Sequence, residues 1–139
     1  MKKTTILNAK LSHTIATLGH TDALTICDAG LPIPERQNRI DLALSPGIPD
    51  FLTTLKAVLS ELFIEHLVLA EEIKTLNPRI AEAALALIAK TEAEQGNRIT
   101  IEYVAHSDFK ALSNQSKAVL RTGECSPYAN VILYSGVPF

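Results

Sequence analysis

The chain has no tryptophan, one methionine and two cysteines among 139 residues, and its formal net charge is only −2. Each shortage removes a class of explanation. Cys27 and Cys125 lie far apart, so there is no CxxC pair and no disulfide framework; two isolated thiols suit a reducing compartment. No base neighbours Cys125 in sequence, which leaves it unactivated as a nucleophile. The absence of HExxH and of paired cysteines argues against a metal site. The absence of a P-loop or GxGxxG argues against a nucleotide cofactor. With near-neutral charge and no basic stripe interleaved with aromatics, nucleic acid is not an expected partner. Nor is a membrane, since no apolar run approaches the ~20 residues of a span. Residues 1–5 are basic, but Asn8, Lys10, Ser12 and His13 break up the stretch after them, so no signal peptide is expected. These exclusions predict a cytoplasmic protein that works without cofactor or metal.

What is present is an ordinary globular composition, 47% hydrophobic, in a chain long enough to bury one core. A single domain over 1–139 is expected. Apolar spacing predicts a helix from an Asn8 cap through Leu11, Ile15 and Leu18, ended by Gly19, then strands over 24–27 and 40–44. Pro49 suits the first turn of a helix burying Leu52, Leu55, Val58 and Leu59. The run 63–70 reads as a central strand with Glu65 and His66 as its polar exceptions. Asn77-Pro78 reads as the cap and first position of a helix stopped near Gly96. Residues 98–103 alternate as a strand with one wet face, Ser107 can cap a short helix through Leu112, and strands close the chain at 118–120 and 130–133. This alternation predicts an α/β fold: a mixed, largely parallel sheet with helices on both faces.

Two segments concentrate chemistry beside glycine or proline. One runs from Gly19-His20-Thr21-Asp22 to Cys27-Asp28-Ala29-Gly30-Leu31-Pro32; the other is Thr122-Gly123-Glu124-Cys125-Ser126-Pro127-Tyr128-Ala129-Asn130. An imidazole, carboxylates, a phenol and an amide form a set suited to the hydroxyls of a small polar molecule. His20 is the natural proton carrier near neutral pH, with Asp22 or a folded-back Asp28 to orient it. The plainer reading of His20, a capping or surface histidine, carries equal weight on the residues alone. His13 reads as solvated, His66 as a hydrogen-bonded core or interface residue, and His106 as a strand-end residue that favours function. The Glu71-Glu72 pair reads as a solvated strand exit, and Arg36 and Arg39 as a solvated loop. Asp28 and His106 come just after strands, whereas Tyr128 and Asn130 precede or open one. All four share an edge only if that last strand runs antiparallel or if another subunit contributes; construction from two subunits is the expectation.

Five collinear stretches then carry a resemblance. They are Gly19-His20-Thr21-Asp22, Cys27-Asp28-Ala29-Gly30-Leu31-Pro32-Ile33-Pro34, Arg39-Ile40-Asp41-Leu42-Ala43-Leu44, Ala70-Glu71-Glu72-Ile73-Lys74 and Gly123-Glu124-Cys125-Ser126-Pro127-Tyr128-Ala129-Asn130. Together they resemble the D-ribose pyranase family over essentially the whole chain. The resemblance implies a cytoplasmic mutarotase that interconverts the pyranose and furanose forms of D-ribose without metal or nucleotide. It implies a homodecamer of two stacked pentameric rings with sites near subunit contacts. It makes His20 the proton donor and gives sugar binding to Asp28, His106, Tyr128, Ala129 and Asn130. The related L-fucose mutarotases resemble this chain less: they place a histidine and an aromatic where it has Gly30-Leu31, and they lack Cys125-Ser126-Pro127. Ribose is therefore the expected substrate. The rival readings are a non-catalytic sugar-binding accessory of ribose uptake, a mutarotase for another sugar such as L-fucose, and a ketose-forming isomerase.

Overall fold

All five residues of strand β1 (Ala23–Cys27) are buried, which places it in the middle of the sheet. The computed structural model describes residues 1–139. Its elements, in chain order, are helix α1 (Ala9–Thr17), β1, β2 (Arg39–Asp41), α2 (Phe51–Leu59), β3 (Ile64–Ala70), α3 (Ile73–Leu76), α4 (Pro78–Gln95), β4 (Thr100–Val104), α5 (His106–Ser113), β5 (Ala118–Arg121) and β6 (Val131–Ser135). The six strands form one sheet in the order β2-β5-β1-β6-β3-β4. Pairing is parallel throughout except for β6, which runs antiparallel to both β1 and β3.

Alternation along the strands splits the core in two. On one face Leu67 and Leu69 of β3, with Leu24, Ile26, Leu120 and Leu133, meet Leu11, Leu55, Val58, Ile80 and Ile88 from α1, α2 and α4. On the other, Val68 and Ala70, with Cys27, Val119 and Ile132, meet Phe109 of α5. Helices thus cover both faces, and the mixed, mostly parallel α/β sheet read from the sequence is the observed one. No helix is long and apolar enough to cross a membrane.

Local chemistry departs from expectation at four points. Asp50 caps α2, accepting the Thr53 N–H at 2.7 Å, so Pro49 precedes the helix rather than standing in its first turn. Asn77 occupies the cap position of α4, but its amide donates to Ser126 Oγ (2.9 Å) and the Pro127 carbonyl (2.8 Å) instead. Helix α5 begins at His106, one residue before Ser107, because Glu72 supplies the acceptor for the His106 N–H at 3.0 Å. Strand β4 is exposed at Thr100, Ile101 and Glu102, on both faces rather than one, because it is an edge strand held only by β3. The single turn α3 has too few residues to show a period in the sequence.

Candidate functional site

Because β6 is antiparallel, the carboxyl ends of β1, β3, β4 and β5 and the amino end of β6 lie along one edge of the sheet. Ligands in open α/β sheets bind outside the carboxyl ends of the strands. Asp28, His106, Tyr128, Ala129 and Asn130 all gather there within one chain. The antiparallel strand, not a second subunit, brings Tyr128 and Asn130 to Asp28.

Asp28 and Asn130 form a reciprocal clamp. Asn130 is fully buried; its Oδ1 accepts the Asp28 N–H and its Nδ2 donates to Asp28 Oδ2, both at 2.8 Å. The other carboxylate oxygen accepts the Gly30 N–H at 2.9 Å. An Asp held this way has one orientation and leaves its remaining lone pairs for a hydroxyl. Ala129 is also fully buried and anchors the turn between its neighbours in the core.

Tyr128 sits at the apex of that turn with φ of 59°, a left-handed conformation rare for a bulky side chain. Its ring meets His106 edge-on at 5.0 Å, and His106 stacks on Phe109 at 6.3 Å. His106 Nδ1 is buried with no hydrogen-bond partner within the chain. Asp28, Gly30, Leu31, Pro32, His106, Pro127 and Tyr128 line a cleft of about 280 Å³, within reach of a monosaccharide's size. A second cleft continues past Asp28 along Glu124, Cys125, Ser126 and Pro127.

The loop 122–130 is fixed from below. Thr122 Oγ1 donates to the Cys27 carbonyl at 2.7 Å and ties the ends of β5 and β1 together. Glu124 accepts the Ser126 N–H (3.0 Å), the Ser126 hydroxyl (2.8 Å) and the Phe51 N–H (3.3 Å). Burial opposes its charge, but these donors prevail and hold its carboxyl below the usual range. A Cβ on Gly123 would fall 2.5 Å from the Ser45 carbonyl oxygen, so only glycine fits where the loop crosses the 45–48 turn. Burial, with the Asp28 charge beside it, pushes the Cys27 thiol up to about 12, which makes it inert.

His20 is elsewhere. It precedes β1 and lies at the opposite edge, where Thr21 N–H donates to the Ser135 carbonyl at 2.8 Å. The five residues of β1 separate it from Asp28 by about 17 Å at 3.3 Å each. Neither Asp22 nor Asp28 orients its ring. Asp22 Oδ2 accepts the Gly19 N–H at 2.9 Å and Asp22 pairs with Lys117 at 3.5 Å, while Glu65 Oε2 lies 2.9 Å from His20 Nε2. Thr21 has φ of 67°, a genuine outlier for a β-branched residue. Thr21 and Tyr128 are the two non-glycine residues with positive φ, one in each chemistry-bearing segment, and such outliers gather at functional sites.

Of the other groups weighed from sequence, His13 is exposed. His66 is half-buried, paired with Glu102 at 3.0 Å and stacked on Tyr134 at 4.8 Å. Glu72 is not a solvated exit but the acceptor that starts α5 under His106. Its own N–H and that of His106 hold its carboxyl below the usual range. Glu65 lies in none of the motif stretches, Glu72 lies in one without a role assigned to it, and Asn77 reads only as a helix cap; their signal was polarity inside or beside an apolar run.

The model of the RbsD / FucU transport protein family matches residues 1–138. The chain is 70% identical to a protein named D-ribose pyranase from Glaesserella parasuis and 63% identical to one from Haemophilus influenzae, each over 139 residues and the full length of both. Its fold superposes on Bacillus subtilis RbsD complexed with D-ribose with a TM-score of 0.90, at 44% identity over all of both chains. The fucose mutarotase of Streptococcus pneumoniae, solved with L-fucose, shares the fold at a TM-score of 0.81 and 23% identity over 99% of each chain.

Proposed function

The chain belongs to the RbsD / FucU transport protein family, and we propose that it is a D-ribose pyranase, interconverting the pyranose and furanose forms of the sugar by general acid–base ring opening and reclosure. The observation that carries this reading is the full-length likeness, at 44% identity, to a protein solved with D-ribose. The clamped Asp28 carboxylate beside Tyr128 and His106 supplies the hydroxyl-binding geometry that such a sugar needs.

The chemistry requires a proton delivered to the ring oxygen as the anomeric hydroxyl gives one up, which opens the pyranose to the aldehyde. The C4 hydroxyl then closes on the carbonyl in place of the C5 hydroxyl, with the proton flow reversed, and yields the furanose. No electrons or groups leave the sugar, so positioned acid–base groups are enough, each worth about 10²–10⁴-fold. His20 carries the proton. Asp28, His106 and Tyr128 hold the hydroxyls, with Ala129 and Asn130 setting the turn and the carboxylate behind them.

His20 and Asp28 occupy opposite edges of one sheet, so a complete site takes His20 from a second copy of the chain. A contact between two different ends of the same subunit is head-to-tail, and head-to-tail contacts that close make rings. A decamer of two pentameric rings is the assembly expected of it. Its two free thiols suit the reducing cytoplasm.

A second reading, a binding accessory of ribose uptake, takes support from the transport description of the family. Saturation-transfer NMR separates the two readings: faster exchange between ribose anomeric signals marks the enzyme, and binding without faster exchange marks the accessory. The same measurement tests the sugar. Gly30, Leu31, Cys125, Ser126 and Pro127 all line the two clefts beside Asp28. Polar groups left unpaired by the wrong hydroxyl pattern cost about 1–3 kcal/mol each. We expect D-ribose exchange to be accelerated at least about tenfold more than L-fucose exchange. Equal or greater acceleration of fucose would overturn the substrate.

A further inference from the structure

Resting on the reading that His20 carries the proton, we propose that Glu65 is the positioning residue for that transfer, fixing the ring tautomer of His20 so that Nδ1 is presented to the sugar. An ionised carboxylate only accepts hydrogen bonds, so the Nε2 that faces Glu65 Oε2 at 2.9 Å bears the hydrogen. In the neutral ring the lone pair is then on Nδ1. That nitrogen takes the proton from the anomeric hydroxyl and returns it to the ring oxygen. A base whose other nitrogen is held by a third group is the general pattern of an activated proton carrier.

The plain alternative is a surface ion pair, which is worth little and needs no special support. Glu65 has three supports that such a pair does without. First, it is the extra residue of a β-bulge. Ile64 pairs with Ser135 and His66 with Tyr134, so two steps along β3 oppose one along β6, and Glu65 is left between them. Bulges re-aim a side chain, and here the carboxylate is aimed at the 19–22 loop. Second, its other oxygen accepts the Val137 N–H at 3.3 Å, which fixes the carboxylate from the chain end. Third, Gly136 lies flat on its side chain; a Cβ there would press on Glu65 Cγ and fall 2.6 Å from Cδ, so any larger residue displaces the carboxylate. The loop that carries His20 is fixed as firmly, by the Asp22 bond to Gly19 N–H and by the strained Thr21. The neighbouring carboxylate of Asp22 is itself paired with Lys117 at 3.5 Å. The His20 and Val137 hydrogen bonds hold the Glu65 carboxyl below its ordinary range, which favours the ionised, accepting form.

The test compares Glu65→Ala, Glu65→Gln, His20→Ala and the double variant His20→Ala/Glu65→Ala in ribose exchange, with ¹⁵N spectra of the His20 imidazole. The expected result is a fall of about tenfold or more in the maximal exchange rate of Glu65→Ala with half-saturating ribose within about twofold of wild type. The ¹⁵N pattern should move from Nε2–H toward a mixture of tautomers, and Glu65→Gln, which keeps the shape and one acceptor, should fall in between. Because Glu65 acts through His20, the double variant should be no slower than His20→Ala alone. Wild-type exchange in Glu65→Ala, an unchanged ¹⁵N pattern, a loss confined to half-saturation, or additive losses in the double variant would each overturn the assignment. If Glu65→Ala does not assemble, Glu65→Gln decides by the same readouts. Full activity in His20→Ala would instead sink the proton-carrier reading itself, whatever Glu65 does.

Discussion

Replacing His20 with alanine is expected to remove about 10²-fold or more of the acceleration of ribose exchange, the scale of one positioned acid–base group. The subunit should stay folded. The His20 side chain is 54% exposed and belongs to neither apolar cluster, so its loss opens no cavity. His20→Gln should bind ribose and fail to turn it over, because an amide can hydrogen-bond but cannot carry the proton. Exchange rates measured beside a circular-dichroism melt check both statements. Wild-type exchange in His20→Ala would leave His106 as the imidazole to test next.

The second large effect belongs to Asn130. Substituting leucine keeps the branched heavy-atom skeleton but removes the acceptor for the Asp28 N–H and the donor to Asp28 Oδ2, both 2.8 Å bonds made by a fully buried side chain. Leaving these partners unsatisfied costs about 2–5 kcal/mol, since one is a backbone donor and the other a carboxylate. At about 3–5 °C per kcal/mol for a domain of this size, Asn130→Leu should melt roughly 6–25 °C below wild type. Exchange should fall at least about tenfold even well below the melt, because Asp28 loses its fixed orientation. An unchanged melting temperature would mean that the clamp is not holding the carboxylate.

Much of the fold and of the site is legible in the sequence itself. The elements with strong periods, α1, α2, α4 and the buried run of β3, declare themselves because apolar spacing is a local property. The two chemistry-bearing segments stand out because glycine, proline and titratable residues crowd together at strand ends. The features hidden from the sequence depend on partners distant along the chain. Strand direction is one case: nothing within 131–135 says that β6 runs against its neighbours, yet that single reversal puts Tyr128 and Asn130 beside Asp28. Helix caps are another, since Asn77 serves the loop 122–130 rather than its own helix, and Glu72 reaches across to start α5. The bulge at Glu65 is a third, visible only once β3 and β6 are paired. The division of the site follows from chain order instead, because His20 precedes β1 and Asp28 follows it. It separates His20, not Tyr128 and Asn130, from the remaining groups.

A site split between opposite edges of one sheet works only when two copies meet, and subunit mixing tests this most directly. His20→Ala and Asp28→Asn are each expected to be inactive. Dissociated together in mild denaturant and reassembled at equal amounts, they form some contacts in which an intact His20 from one copy meets an intact Asp28 from the other. Random head-to-tail assembly gives such contacts roughly a quarter of the time. The account predicts recovery of about a quarter of wild-type ribose exchange; no recovery, with subunit exchange verified by native mass spectrometry, would contradict it.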